Sequence, residues 1–252
     1  ALIILGEDYG EGSSVIQERS HAYAMKSTLW LMDPRPNLPC IVNAVEKSFE
    51  LSEASNTPVM MELRIRACHV QGSFMAKDNI APAISMAQVL AEPAPHEYER
   101  LAHPPVIYGH ERKKSGERMQ AARDFIRANK LNEVFDGQSH KDVGLIVQGG
   151  LYNALLRALA ELGLADQDGT CDIPIMVLNV VYPLVPDEIL AFVADKRAVL
   201  VLEEGQPEYI ENEIGTILRR GKSDVILAGK DIMPMAGEYT APVMLNGVAG
   251  FL

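Results

Sequence analysis

The chain has 252 residues, of which 48% are hydrophobic and 23% charged, a balance typical of a globular protein with one or two domains. Its formal net charge is −11 and its pI is about 5.0, which argues against general binding to nucleic acid or to an anionic membrane. The three cysteines lack CxxC spacing and the six histidines are scattered, so we expect no disulfide framework, no metal site and a cytoplasmic location.

Strand and helix patterns alternate in the first 75 residues, as in a parallel α/β unit. The run Leu2–Leu5 is apolar throughout and predicts a fully buried strand. After a glycine-rich loop, Ser13 or Ser14 is placed to cap a helix that ends near Met25. The other expected elements are strands at Leu29–Met32 and Pro58–Ile65 and a helix from Pro39 to about Ser55, with an apolar stripe of Ile41, Val42, Val45, Phe49 and Leu51.

Residues 76–141 read as a connector with one helix at 111–135, because prolines interrupt any long element before it. A second unit, 142–252, alternates again with short connections and predicts a doubly wound sheet of about four parallel strands. Its expected strands are 143–148, 173–180, 198–204 and 224–229, and its expected helices are 152–162, 187–195 and 208–220.

The opening loop, GEDYGEGSS at 6–14, is rich in glycine but does not match known phosphate-binding patterns. It has no lysine for a GxxxxGK[ST] motif, and Val15 stands where GxGxxG needs its third glycine. Glu7, Asp8 and Glu11 would repel a diphosphate, which also argues against a nucleotide-binding protein. Two interpretations remain: a tight strand-to-helix turn, or the border of an active site that another segment completes.

Polar residues follow several of the expected strands, where ligands bind in open α/β sheets. Arg19 is a candidate for pairing with a carboxylate substrate and His21 for proton transfer, although the pattern alone favours a surface helix in which Glu18 and Arg19 face water. Two further groups of polar residues follow expected strands. Arg64, Arg66 and His69 are a candidate anion site, and Glu203 and Glu204 are either acid–base groups or acceptors for the next helix turn.

Cys68 beside His69 is not expected to form a thiolate–imidazole pair. Adjacent residues of a strand point to opposite faces of the sheet, and both residues are expected at the end of the third strand.

Six segments, in one order and covering nearly the whole chain, carry a resemblance to a known family. They are GEDYGEGSSVIQERSHAYAMKSTLWLMDPRPN, FELSEASNTPVMMELRIRACH, LIVQGGLYNALLRALAELG, YPLVPDEI, AVLVLEEGQPEYIENEI and GKDIMPMAGEYT. Together they resemble the indolepyruvate:ferredoxin oxidoreductases, which belong to the thiamine diphosphate-dependent 2-oxoacid:ferredoxin oxidoreductases. The resemblance is greatest to the long bacterial form, in which the domains of several subunits are fused.

The resemblance implies a fold and a set of domains. Residues 1–75 would be the second half of a pyrimidine-type thiamine diphosphate-binding domain, and 142–252 a transketolase C-terminal-like domain. The family's activating glutamate is expected upstream of Ala1, and its GDG motif followed by an Asn downstream. We therefore expect a fragment that is inactive alone and holds no cofactor. Its half-domain would expose a sheet edge, so we expect docking to neighbouring domains and a homo-oligomer.

The resemblance also implies an activity for the parent enzyme. It would oxidatively decarboxylate indolepyruvate or other aryl pyruvates to the acyl-CoA and pass electrons through [4Fe-4S] clusters to ferredoxin. Its cofactors would be thiamine diphosphate and Mg²⁺. Its partners would be CoA, ferredoxin and the other domains or subunits of the enzyme. The alternative is a non-catalytic α/β binding or subunit-assembly module.

The resemblance places the opening loop on the rim of the thiamine site, near the ring end of the cofactor. The residues expected on this rim are Gly6, Glu7, Asp8, Gly10, Ser13 and Ser14. Many relatives have SSQNEQDSR where this chain has SSVIQERSH, so His21 falls where those relatives have arginine. The roles of Arg19 and His21 therefore do not transfer directly, and both remain catalytic candidates.

Overall fold

The computed structural model describes residues 1–9, 19–93, 97–166 and 169–252. Strands and helices alternate along these residues, and the strands form two mainly parallel sheets. The predicted α/β class is therefore confirmed. Among the described residues, no helix combines the length and the apolar character needed to cross a membrane.

The first sheet has four strands in the order β1-β3-β2-β7. They are β1 (Leu2–Glu7), β2 (Trp30–Met32), β3 (Val59–Arg64) and β7 (Val180–Tyr182). The first three strands are parallel, and β7 joins β2 in antiparallel fashion. The prediction that the first strand is fully buried was wrong. β1 is an edge strand, paired only with β3, and it leaves Ile3 and Ile4 42% and 56% exposed.

Two helices accompany this sheet, α1 (Ser20–Ser27) and α2 (Leu38–Ser55). The side chain of Asn37 caps α2 by accepting a hydrogen bond from the Cys40 N–H, and Pro39 lies in the first turn, as predicted. The predicted apolar stripe of α2 was mostly wrong, because its inward face carries small side chains that let the helix lie close to the sheet. The buried residues of α2 are Ala44, Ser48, Leu51, Ser52 and Ser55.

The connector contains more helix than predicted. Its helices are α4 (Met86–Ala91), α5 (Val106–Lys113) and α6 (Met119–Ala128), with a 3₁₀ turn at Tyr98–Arg100 and a π-helical turn at Lys114–Arg118. The short helix α3 (Ile65–Cys68) precedes the connector, directly after β3. The single helix predicted at 111–135 starts earlier and ends earlier. Lys130 takes a left-handed conformation with φ of 50°, which stops the helix, and Glu133–Phe135 forms strand β4.

The second sheet has five strands in the order β4-β6-β5-β8-β9. The new strands are β5 (Val143–Gln148), β6 (Ile175–Leu178), β8 (Ala198–Leu202) and β9 (Ile226–Ala228). These four are parallel, as predicted, and β4 adds an antiparallel edge. The accompanying helices are α7 (Tyr152–Glu161), α8 (Pro186–Val193), α9 (Tyr209–Gly221) and α10 (Ala241–Phe251), of which α10 was not predicted.

The two sheets share one core at their junction. The strand predicted at 173–180 splits, so that β6 stays in the second sheet while β7 crosses to the first. A cluster of buried side chains accordingly contains Leu31 and Met60 from the first sheet and Ile146 and Met176 from the second. This packing fixes the carboxyl ends of strands from both sheets next to each other.

Candidate functional site

A group of buried polar side chains lies where the carboxyl ends of the two sheets meet. β1 ends at Glu7, β3 carries Glu62 and ends at Arg64, Asp33 follows β2, and two glutamates follow β8. We call this group the junction cluster. Its members are Glu7, Tyr9, Arg19, Asp33, Glu62, Arg64, Glu203 and Glu204.

Arg64 is the central cation of the junction cluster, and its side chain is only 3% exposed. Its Nη2 lies 2.6 Å from Asp33 Oδ2, and its Nη1 donates to Glu204 Oε2 across the junction between the sheets. Burial by itself lowers the pKa of Arg64, but Asp33 and Glu204 outweigh burial and raise it. Arg64 therefore stays charged. Its ion pairs connect Asp33 of the first unit to Glu204 of the second unit.

Glu62 and Glu7 have environments that favour the protonated form. Burial, reinforced by the charge of Asp33, raises the pKa of Glu62 well above its usual value. The Tyr9 hydroxyl donates to Glu62 Oε1 at 3.0 Å, while Glu62 Oε2 has no hydrogen-bond partner among the described residues. Burial also raises the pKa of Glu7, although the Ser20 N–H and hydroxyl both donate to its carboxylate.

Arg19 precedes α1 and is held inside the junction cluster. Its Nη2 lies 2.5 Å from Glu203 Oε1, its Nη1 donates to the Glu204 carbonyl at 2.6 Å, and its side chain is 10% exposed. The guanidinium also lies over the ring of Tyr209. The interpretation in which Arg19 faces water is therefore wrong, and its present partners are carboxylates and carbonyls of the chain itself.

Glu203 acts as an acceptor for the start of α9. Its carboxylate accepts the Ile210 N–H at 3.0 Å and the Glu211 N–H at 3.0 Å. These are N–H groups that a helix start leaves without intrahelical partners, and they attract negative charge. This is the structural interpretation that the sequence offered for the two glutamates. Burial raises the pKa of Glu203 against the effect of Arg19 and these N–H groups.

His21 lies on α1 beside the junction cluster and is 1% exposed. Its ring stacks on Tyr209, with centroids 5.3 Å apart, and neither ring nitrogen has a hydrogen-bond partner among the described residues. Burial, aided by the positive charge of Arg19, lowers its pKa to about 3. His21 is therefore neutral near pH 7, and its role in proton transfer stays a prediction.

The candidate anion site of Arg64, Arg66 and His69 is not assembled in this structure. Arg64 is surrounded by carboxylates, and Arg66 donates to Glu204 at 2.9 Å, while His69 is exposed. Cys68 and His69 lie at the end of the short helix α3 and are exposed, so the argument from strand alternation does not apply to them.

The second unit adds two residues that sequence reasoning missed. Lys230 Nζ donates to the Gly205 carbonyl at 2.9 Å and to the Tyr239 hydroxyl at 2.8 Å, and burial lowers its pKa to about 8. The Tyr239 N–H donates to Glu204 Oε1. Both residues follow the last predicted strand and lie in GKDIMPMAGEYT, one of the segments that carry the family resemblance, which was the signal that could have identified them.

The predicted cofactor rim is described only in part. Gly6 is exposed, Glu7 is buried and Asp8 is intermediate, whereas Gly10, Ser13 and Ser14 lie outside the described residues. Arg19, Arg64 and Arg66 each pair with a carboxylate of the chain, so these three are not available for a diphosphate. No group of three or more His, Cys, Asp or Glu in the described part of the chain is arranged to hold a metal ion. These residues alone do not fit thiamine diphosphate with Mg²⁺, and the rim stays a prediction.

Comparison with known proteins identifies relatives over the whole chain, although no family model matches it. A protein named indolepyruvate oxidoreductase subunit IorA, from Methanothermobacter thermautotrophicus, is 24% identical over 255 residues and 99% of this chain. This confirms the resemblance to the indolepyruvate oxidoreductases. The chain spans about 38% of the length of that IorA subunit. The prediction of a fused bacterial form is not tested by this match and stays a prediction.

Two solved structures share the fold. The 2-oxoglutarate:ferredoxin oxidoreductase from Magnetococcus marinus, with 2-oxoglutarate, coenzyme A and succinyl-CoA bound, matches 98% of this chain and 48% of its own with a TM-score of 0.57 and 15% identity. A split gene transketolase, an inactive β4 tetramer, matches 99% of this chain and 65% of its own with a TM-score of 0.54 and 13% identity. At these identities the two structures establish the fold that the indolepyruvate oxidoreductase resemblance predicted.

Proposed function

We propose that this chain is part of a thiamine diphosphate-dependent 2-oxoacid:ferredoxin oxidoreductase that acts on indolepyruvate and related aryl pyruvates. In the overall reaction the 2-oxoacid loses CO₂ and its acyl group forms a thioester with CoA. The two electrons released pass through [4Fe-4S] clusters, one to each of two ferredoxins. The observation that carries the proposal is the match to an IorA subunit over 99% of the chain, together with a fold shared by a 2-oxoacid:ferredoxin oxidoreductase.

The contribution of this chain is to position the carboxyl ends of two sheets against each other. Arg64 and Arg19 connect the first sheet and the start of α1 to Glu203 and Glu204 of the second unit. The acidic loop at the end of β1 then borders the ring end of the thiamine, where the pyrimidine amino group and the cationic thiazolium suit carboxylates. The diphosphate, Mg²⁺ and the clusters are held by other parts of the enzyme, in keeping with the paired state of the three arginines.

The test compares the complete enzyme with this chain. The complete enzyme, supplied with thiamine diphosphate and Mg²⁺, should reduce a low-potential viologen dye when indolepyruvate and CoA are added. The chain alone should give no reduction and should bind thiamine diphosphate weakly or not at all in a calorimetric titration. Omitting CoA is the matched control and should suppress turnover. A complete enzyme that binds the cofactor but oxidises no 2-oxoacid would contradict the proposal.

A second candidate function, a non-catalytic assembly module, is favoured by one observation. The arginines of the junction cluster are all engaged within the chain, as expected of a lock between two structural units rather than of an open ligand site. The two functions separate in the complete enzyme. Arg66→Gln, at a half-exposed position, should change the KM for indolepyruvate or the affinity for the cofactor only if this edge borders the active site.

A further inference from the structure

The loop between β9 and α10 is folded around the ammonium group of Lys230. Four neutral oxygens accept hydrogen bonds from Lys230 Nζ, and we call them the ammonium cage. They are the Tyr239 hydroxyl at 2.8 Å and the carbonyls of Gly205, Pro234 and Met235 at 2.9, 3.2 and 3.4 Å. A lysine ammonium has three hydrogens to donate, so the ammonium cage satisfies all of them.

The ammonium cage joins separate segments of the second unit. Gly205 belongs to the turn after β8, whereas the other three acceptors lie in the loop between β9 and α10. Tyr239 is fully buried, and its hydroxyl also donates to the Pro234 carbonyl at 2.7 Å. The backbone N–H of Lys230 donates to Glu211 of α9 at 2.8 Å. Lys230 therefore holds the turn after β8, the loop after β9 and α9 together.

The loop that Lys230 holds makes the contacts of two charged residues at the carboxyl edge of the sheets. The Tyr239 N–H donates to Glu204 Oε1, and the Tyr239 carbonyl accepts from Arg66 Nη1 at 3.1 Å. Arg66 also pairs with Glu204 at 2.9 Å and with Glu238 at 2.8 Å. Each of these three partners of Arg66 either lies on the loop or accepts a hydrogen bond from it.

We propose that Lys230 is a positioning residue, whose ammonium holds the loop after β9 so that this loop can hold Glu204 and Arg66 at the edge of the proposed active site. This role rests on the proposed function, which puts the active site at this edge. Arg66 is 37% exposed, whereas the side chains of Arg64 and Glu204 are 3% and 1% exposed. Of these three, Arg66 is the one that a bound molecule can reach.

The charge of Lys230, and not only its size, is expected to hold the loop. Burial lowers the pKa of Lys230 to about 8, aided by Arg19 and opposed by Glu203, Glu204 and Glu211. The ammonium form therefore predominates at pH 7. Hydrogen bonds from a charged donor are roughly twice as strong as those between neutral groups, so a neutral substitute should hold the loop less well.

The first experiment measures hydrogen exchange of the Tyr239 N–H by NMR in this chain at pH 7. Lys230→Ala should exchange this proton about tenfold faster or more, because the loop loses its charged donor. Propylammonium replaces the deleted atoms and should restore part of the protection, whereas the uncharged propanol should not. Lys230→Met keeps the length of the side chain, so it should lose the same protection and respond to neither compound. Circular dichroism checks that both variants fold.

The second experiment measures kcat/KM for indolepyruvate in the complete enzyme. Lys230→Ala should lower it about tenfold or more, and propylammonium but not propanol should restore part of it. The control is Lys141→Ala, at an exposed position before the amino end of β5 and thus at the opposite edge of the second sheet. This control should change neither the exchange of the Tyr239 N–H nor kcat/KM.

Three results would overturn the role of Lys230. They are unchanged exchange in Lys230→Ala or Lys230→Met, equal rescue by propanol and propylammonium, and an active complete enzyme whose kcat/KM does not respond to Lys230→Ala. A complete enzyme that oxidises no 2-oxoacid contradicts the proposed function instead. The exchange of the Tyr239 N–H, which requires no turnover, then decides whether Lys230 holds the loop.

Discussion

Arg64 at the end of β3 and Glu204 after β8 form a buried ion pair that joins the two sheets. Both side chains are almost fully buried, at 3% and 1% exposure, and Arg64 also pairs with Asp33 of the first unit. The Gly150 N–H from the second unit donates to Asp33 at 3.1 Å, so the contact between units is made from both sides. A pair of this kind stabilises the fold only while all of its members are present, since a lone buried charge is costly.

The first prediction removes the cation of this pair. Arg64→Met should lower the free energy of unfolding by about 3 to 5 kcal/mol, because Asp33 and Glu204 would be left buried without their main partner. Urea denaturation followed by circular dichroism measures the effect. Arg66→Met is the matched control. Its side chain is 37% exposed, so it should cost about 1 kcal/mol or less. Equal losses in the two variants would contradict the central role of Arg64.

The second prediction concerns the turn after β8. Gly205 has φ of 80°, and a Cβ there would lie 2.5 Å from Tyr9 Cε1 and 2.6 Å from Arg19 Nη1. Gly205→Ala should therefore cost more than the roughly 1 to 3 kcal/mol that a left-handed conformation costs a residue other than glycine, because it also displaces two members of the junction cluster.

Gly163→Ala is the control for Gly205→Ala. Gly163 has a similar φ of 72°, but a Cβ there would meet no atom within 4 Å. The difference between the two variants in thermal or urea unfolding isolates the steric contact with the junction cluster. If both variants lose the same stability, the close approach of Gly205 to Tyr9 and Arg19 has no energetic consequence.

The strands and helices were predictable where burial in the core determines which positions of the sequence are apolar. The strand Val143–Gln148 and helix α9, predicted at 143–148 and 208–220, match their predictions because the second sheet is covered on both faces. The pattern failed on β1 and α2. Apolar residues there face outward, and a reading based on hydrophobicity assigns every such residue to the core.

The sequence identified individual residues of the candidate site but not the contacts between them. The sequence placed Glu203 and Glu204 at the end of a strand and proposed that they accept N–H groups, which Glu203 does for α9. It did not indicate that Arg19 and Arg64 would bind these glutamates. They are separated by 184 and 140 positions, and the contact depends on the packing of one sheet against the other. Spacing along the chain carries no information about that packing.

The third prediction uses the burial of His21. Its folded pKa of about 3 lies below the usual 6.5, so the unfolded chain binds more protons between these values and stability falls as pH drops below about 6.5. His21→Phe keeps the stacking on Tyr209 and removes two unpartnered nitrogens. It should be neutral or stabilising near pH 7 and gain about 1 to 2 kcal/mol over wild type near pH 5.

Unfolding curves at several pH values measure this gain, with His140→Phe as the control because His140 is exposed. The control should leave the acid dependence unchanged. A loss of stability in His21→Phe at every pH would mean that the His21 ring nitrogens have a partner that stabilises the fold.

The fourth prediction concerns Glu213, whose burial makes stability fall as pH rises, the opposite of the pH dependence caused by His21. Burial raises the pKa of Glu213 to about 7, and Arg123, whose Nη2 lies 3.9 Å away, offsets this only in part. A raised carboxyl pKa means that the folded chain binds more protons between about 4.5 and 7, so stability falls as pH rises through this range. Glu213→Gln should therefore stabilise the chain by about 1 to 3 kcal/mol near pH 8 and have little effect near pH 4.5.

The measurement is again unfolding as a function of pH, with Glu161→Gln at the exposed end of α7 as the control. The sign of the result decides between two effects. If Glu213→Gln destabilises the chain near pH 8, the attraction between Glu213 and Arg123 outweighs the cost of burying the carboxylate. If the stabilisation grows between about pH 4.5 and 7 and then levels off, the cost of burial is the larger effect, as expected for a pair separated by more than a hydrogen-bond distance.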